Sequence, residues 1–132
     1  MTGYIVNIEQ ATINNDNFRQ VLYTAKNSQL VLMSLKPGEE IGEEIHHLDQ
    51  FIRLEQGVGK AVLDGVSSDI AADYAIVIPA GTKHNIINTS TSLTMKLYTL
   101  YSPPEHRDKV VHVTKQDALN DQTDEFDGHT TE

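Results

Sequence analysis

Short apolar or alternating runs recur about every ten residues, and each is closed by turn residues. Leu30-Val31-Leu32-Met33-Ser34-Leu35 stops at Lys36-Pro37-Gly38, and Phe51-Ile52-Arg53-Leu54 runs to Gln56-Gly57. Val58–Leu63 and Val66–Ile70 flank Asp64-Gly65. Both central residues tolerate positive φ, so the pattern predicts a two-residue hairpin. Ala75–Ile78 ends at Pro79-Ala80-Gly81. Asn85–Asn88 and Leu93–Tyr101 follow, the last closed by Ser102-Pro103-Pro104. Tyr4–Ile8 reads as an N-terminal strand. Two helical pieces are expected: a short turn over Asn14–Arg19, and a helix over Thr114–Leu119 with Thr114 as N-cap and Asp117 in the capping-box position. About ten short strands in one domain predict an all-β sandwich or closed barrel, which at this size holds one small ligand in its mouth.

The 132 residues make one ordinary domain, and a hydrophobic fraction of 39% without tryptophan leaves aliphatic side chains to fill the core. A net charge of −9 gives no attraction to phosphate backbones or anionic lipid, so neither nucleic acid nor membrane is an expected partner. The absence of cysteine removes disulfides, thiolate zinc sites, iron–sulfur clusters and thiol nucleophiles together. Met1-Thr2-Gly3-Tyr4-Ile5 lacks a basic segment followed by a long apolar run, and the longest apolar run is too short to span a bilayer. The cytoplasm is the expected setting.

Two stretches carry chemistry. Glu44 and His46 are two residues apart and share a face if the backbone is extended. A turn at His47-Leu48-Asp49 would fold the chain back and bring Gln50 beside His46, with Ile52 and Leu54 on the same inward parity. Phe51, Arg53 and Glu55 then face outward, Arg53 as an ion pair with Glu55 or with a symmetry mate. Further on, Pro79 stops a strand, Gly81 makes a turn and His84 opens the next strand. One carboxylate, two imidazoles and an amide oxygen beside turns suit Fe(II), Mn(II), Co(II), Ni(II) or Zn(II). His47 has the parity of a surface residue. His106, His112 and His129 are given no role, and residues 120–132 are polar and acidic, a frayed tail if taken alone, which either folds over a partner or stays loose.

These stretches resemble the two motifs of the cupin superfamily. The first reads Gly38, five residues, Glu44-Ile45-His46, three residues, Gln50, six residues, Gly57; Glu44 replaces the usual first His and Gln50 the usual Glu. The second reads Asp73, five residues, Pro79-Ala80-Gly81, two residues, His84, three residues, Asn88; only the opening Gly departs, as Asp73. The resemblance implies a jelly-roll barrel (a double-stranded β-helix) with short peripheral helices. The barrel would span 28–102, with an N-terminal strand and helical turn in 1–27 and a helix and acidic tail in 103–132. Carried over position by position, the metal ligands are Glu44, His46, Gln50 and His84, with Gln50 either a ligand or a hydrogen-bonding group beside them. The implied function is metal-dependent Lewis-acid chemistry on a small polar metabolite, an isomerisation or tautomerisation of a sugar or sugar acid. Glu44 would move a proton if it is not bound to metal. A non-haem iron dioxygenase and a non-catalytic small-ligand binding or sensor module are the alternatives. The resemblance also implies a homodimer, with Phe51, Arg53 and Tyr4–Ile8 as expected contacts.

Overall fold

In the computed structural model, which describes residues 2–132, nine strands and two short helices are present among the described residues. The strands are β1 (Arg19–Thr24), β2 (Gln29–Leu35), β3 (Asp49–Gln56), β4 (Val58–Leu63), β5 (Val66–Ala71), β6 (Ala75–Ile78), β7 (His84–Asn88), β8 (Met95–Ser102) and β9 (Val111–His112). They form a larger antiparallel sheet in the order β6-β3-β8-β2-β1-β9 and a smaller one in the order β5-β4-β7. This is the expected all-β jelly-roll barrel. Its core lies between the sheets: Ile52, Leu54, Met95 and Leu97 of the larger face Ala61 and Ile86 of the smaller. Burying each large aliphatic side chain there contributes about 1.5–3 kcal/mol.

Strand parity follows from the pleat. Gln50, Ile52 and Leu54 are buried while Phe51, Arg53 and Glu55 are only half-buried, as the alternation predicts. Asp64 (φ 47°) and Gly65 (φ 81°) make the predicted hairpin turn. Gly57 has φ +104°, and a Cβ there would lie 3.0 Å from Met95 Cα, so the β3–β4 junction excludes a side chain. Asp73 stands where the second motif has its glycine, and its φ of 74° explains both the rule and the departure. The position needs the left-handed conformation, which Asp tolerates better than most residues.

The N-terminus departs from expectation. The helix α1 spans Ile8–Asn14, ahead of the expected turn at Asn14–Arg19, because the Asn7 side chain caps it by accepting from Gln10 N at 3.1 Å. Tyr4–Ile8 is not a strand, and Tyr4 stacks instead on Tyr23. The first strand is β1, whose inward residues Arg19 and Val21 alternate with Gln20 and Leu22. Lys96 of β8 donates to Asn15 O (2.6 Å) and Asp16 Oδ1 (2.7 Å), which ties the segment after α1 to the larger sheet.

The second helix, α2 (Lys115–Asn120), has the Thr114–Asp117 capping box read from the sequence. The tail beyond it is bonded to the barrel, contrary to a frayed end. Thr131 N donates to Thr24 O (2.9 Å), Phe126 N to Glu105 O (3.0 Å), and the Glu132 side chain accepts from Thr2 N (2.7 Å). Local composition predicted fraying because it cannot register these partners, which lie far away in the chain. Among the described residues no helix is long and apolar enough to cross a membrane.

Candidate metal centre

Backbone pairing creates the site. Glu44 N donates to His84 O and His84 N to Glu44 O, both at 2.9 Å, as an isolated antiparallel bridge. Residues paired in this way hold their side chains next to each other on one face. His46 follows on the same parity, and its carbonyl accepts from Gly81 N at 2.8 Å, which fastens the first motif to the turn of the second. The His46 and His84 rings are 5.1 Å apart between centroids, and Tyr101 of β8 presents a perpendicular ring to His46 at 5.9 Å.

The donor atoms converge. Glu44 Oε2 is 2.9 Å from His46 Nε2 and 3.9 Å from His84 Nε2, and the three groups offer donors that all lie within 4.8 Å of one another. Two donors bound at about 2.1 Å to one ion are at most about 4.2 Å apart, so the two Glu44 separations lie within reach of one cation, and the group as a whole could hold one after a small inward adjustment. His84 Nδ1 lies 2.8 Å from Thr82 O. A carbonyl only accepts, so the proton sits on Nδ1 and Nε2 carries a lone pair. That Nε2 is buried without a hydrogen-bond partner.

Electrostatics couples the group. Burial pushes the Glu44 carboxyl up, but the hydrogen bond and charge of His46, with Arg19 and His84, outweigh it and hold the carboxyl below its ordinary range. Burial pushes His46 down, and the Glu44 hydrogen bond and charge, with Glu105, raise it above its ordinary value. His46 Nδ1 is 3.6 Å from Glu105 Oε2, so a carboxylate stands behind this imidazole.

Of the four residues singled out by the sequence, Glu44, His46 and His84 come together directly. Gln50 is the second residue of β3, in register with Tyr101 on one side and Ile78 on the other. Its Nε2 donates to Thr99 Oγ1 at 3.0 Å, which leaves Oε1 buried and without a partner. A buried amide oxygen with nothing to accept needs a donor or a cation. The donor set therefore fits a divalent metal ion. His47 is exposed, as its parity required. Arg53 pairs within its own chain, with Glu55 (2.9 Å) and Asp73 (3.1 Å).

One wall was missed. The segment after β8 brings Glu105 and His106 against the interior, where the Tyr101 and His106 rings stand 5.2 Å apart. Buried Gln29 of β2 holds this segment, donating to His106 O (2.8 Å) and accepting from His106 N (2.9 Å). His106 Nδ1 lies 2.7 Å from Asp124 of the tail. His112 Nε2 lies 2.9 Å from Asp121, and His112 Nδ1 lies 3.2 Å from Arg19 Nη1. His106 and His112, given no role by the sequence, are thus buried structural partners. An inward-parity arginine at position 19 was the available signal, hidden because β1 was not recognised.

The two-sheet barrel and the paired motifs coincide with a family model described as a cupin domain, which matches residues 31–101. The chain is a cupin. It is similar to the crystal structure of BH2720 from Bacillus halodurans, at 45% identity and a TM-score of 0.85, over 88% of this chain and 92% of that one. It is 49% identical to the uncharacterized protein YrkC of Bacillus subtilis over 88% of this chain and 66% of that protein. This cupin thus spans about two thirds of that relative's length. A more distant likeness, to the structure of KdgF from Halomonas sp. (16% identity, TM-score 0.62, 79% of this chain and 96% of that one), shows the shared fold.

Proposed function

We propose that this cupin is a metal-dependent enzyme of the cytoplasm acting on a small polar metabolite, a sugar or sugar acid, by isomerase- or tautomerase-type chemistry. The observation that carries the reading is the buried, unpartnered Nε2 of His84, fixed as a lone-pair donor by Thr82 O and set beside Glu44 and His46. Glu44, His46 and His84 would hold a divalent ion of the Zn, Mn, Fe, Ni and Co series, with Gln50 Oε1 as the fourth donor. A bound ion supplies Lewis acidity at a substrate oxygen. Thr82 O keeps the His84 proton on Nδ1, and Glu105 orients His46 from behind. Glu44 turns Oε2 toward both imidazoles, and where it is not bound to the ion it would take or return a substrate proton. Tyr101 closes the inner wall and excludes water from that transfer.

Two imidazoles and one carboxylate are also the ligand set of non-haem iron oxygenases, which makes a dioxygenase the second reading. The proposal pairs two copies through the outer face of the larger sheet, where Val77, Phe51, Leu100 and Leu30 form one apolar cross-strand row.

Elemental mass spectrometry of freshly purified, untagged protein tests the reading, beside His84→Ala. The expected result is a stoichiometric first-row metal that His84→Ala loses. Iron directs the work to oxygen-consumption assays, and zinc, manganese, nickel or cobalt to a sugar-acid isomerisation screen. Full occupancy in His84→Ala, or no uptake even after reconstitution, overturns it.

A further inference from the structure

Arg19 is an unusual residue to find on the inward face of a barrel strand. It is 8% exposed, and its guanidinium lies 5.3 Å from the Phe18 ring centroid. Only one of its nitrogens is engaged: Nη1 lies 3.2 Å from His112 Nδ1 and 3.9 Å from Asp124 Oδ2. Asp124 balances the charge of Arg19 from 3.9 Å, beyond hydrogen-bond reach, while it accepts from His106 (2.7 Å) and Arg107 N (3.1 Å), so it leaves the other guanidinium N–H groups unbonded. Nε is buried with no partner, and Nη2 makes no hydrogen bond among the described residues. Nε and Nη2 share one edge of the guanidinium plane. That edge takes a carboxylate through two parallel N–H···O bonds.

The free edge belongs to the same interior as the metal donors. Asp124 lies 3.9 Å from Arg19 Nη1 and 2.7 Å from His106 Nδ1, the His106 ring stands 5.2 Å from that of Tyr101, and the Tyr101 ring 5.9 Å from that of His46. Tyr101, whose ring packs on both His46 and His106, is 2% exposed and carries a phenol O–H that can donate. His106 adds a buried Nε2 with no partner. A native interior leaves few such atoms unmet, and here they surround one place.

We propose that the Nε–Nη2 edge of Arg19, with the Tyr101 hydroxyl as a second donor, is a carboxylate subsite of the barrel interior. The metabolite is then a small hydroxy- or oxo-carboxylic acid and not a neutral sugar. The inference rests on the metal-dependent reading for what happens at Glu44, but not for the anion contact itself.

The test is isothermal titration calorimetry with three matched pairs: pyruvate and hydroxyacetone, D-glycerate and glycerol, D-glucuronate and D-glucose. Wild type, Arg19→Gln, Arg19→Lys and Tyr101→Phe are compared, with metal content and thermal midpoint measured for each. Arg19→Lys keeps the charge and loses the fork, so it remains informative where Arg19→Gln does not fold. Wild type is expected to prefer at least one acid over its neutral partner. Both Arg19 variants should weaken that acid by roughly ten- to hundredfold, the worth of one bidentate charged pair, with metal content unchanged. Equal binding of acids by wild type and Arg19→Lys overturns the subsite and leaves the metal reading intact. Failure of wild type to bind any of the three acids at millimolar concentration also overturns it. Arg19-dependent acid binding by protein that takes up no metal supports the subsite while the metal reading falls.

Discussion

Replacing Asn88 by alanine should unfold much of this protein's margin of stability without touching a metal donor. Asn88 closes the second motif at the end of β7 and is completely buried. Its Nδ2 lies 3.0 Å from Leu35 O, 3.1 Å from Lys36 O and 2.9 Å from Leu93 O, while Oδ1 accepts from Ser90 N at 3.0 Å. Leu35 ends β2 and Leu93 precedes β8, so one side chain staples the smaller sheet to the larger. An amide has two N–H protons, so three carbonyls share two donors. The truncation therefore removes about three hydrogen bonds and orphans carbonyls in a dry interior. At about 1 kcal/mol for each bond, plus about 1–3 kcal/mol for a polar group left buried and unmet, the loss is about 4–6 kcal/mol. A domain of this kind has about 5–15 kcal/mol in all. Urea denaturation followed by far-ultraviolet circular dichroism reads the effect. Asn88→Asp sharpens the test. It retains the acceptor for Ser90 but sets a carboxylate against three carbonyl oxygens, so at neutral pH it should cost at least as much as alanine. Protonation turns that group into a donor, and part of the loss should return in acid. An Asn88→Ala protein within about 1 kcal/mol of wild type would refute the staple.

The tail should loosen in acid, in two steps. Burial holds His106 below its ordinary 6.5 against the Asp124 hydrogen bond; burial raises Asp124, but His106 and Arg19 outweigh it and leave Asp124 below 3.8. Both groups bind fewer protons folded than unfolded, so the stability they give is present at neutral pH. It is lost as pH falls below 6.5 toward the folded His106 value, and again below 3.8. Protection factors of the Phe126 and Thr131 amides should fall across the first window; constant protection from about pH 7 to about pH 4 would contradict the linkage. In the turn between β5 and β6, Asp73→Gly should change stability by no more than about 0.5 kcal/mol, since it trades an exposed ion pair for relief of a left-handed backbone. Asp73→Val, which keeps the strain and adds β-branching, should cost about 1–2 kcal/mol in the same urea experiment.

What the sequence made legible was whatever depended on neighbours in the chain. The alternation through Gln50, Ile52 and Leu54, the Asp64-Gly65 turn and the Thr114–Asp117 cap each involve residues a few positions apart, and each is found as read. The spacing of Glu44, His46 and His84 from their glycines and proline was legible for the same reason, because turns at fixed offsets decide which side chains reach the barrel interior. The failures share the opposite property. β1 is held by pairing with β2 and β9, and nothing local marked it off from a helical turn. His106 is positioned by Gln29, 77 residues away, and by Asp124, 18 residues away. A buried polar residue declares its role only through partners of that kind, so the wall opposite the metal donors could not be read from composition or parity.

The unmet atoms then locate where folding and function compete. Among the described residues, the buried side-chain atoms without partners include Arg19 Nε, Gln50 Oε1, His84 Nε2 and His106 Nε2. They come from β1, β3, β7 and the segment after β8, four parts of the chain with no local relation. Contacts join these four: Arg19 and His106 share Asp124, the His106 ring stands 5.2 Å from Tyr101, Gln50 is the cross-strand neighbour of Tyr101, and the His84 ring lies 5.1 Å from His46, which Tyr101 also packs against. Each orphan costs the empty protein stability that a cation or a carboxylate would restore. If the proposed ion or acid binds there, the barrel is expected to be more stable loaded than empty, with a thermal midpoint that rises with the free concentration of that ligand.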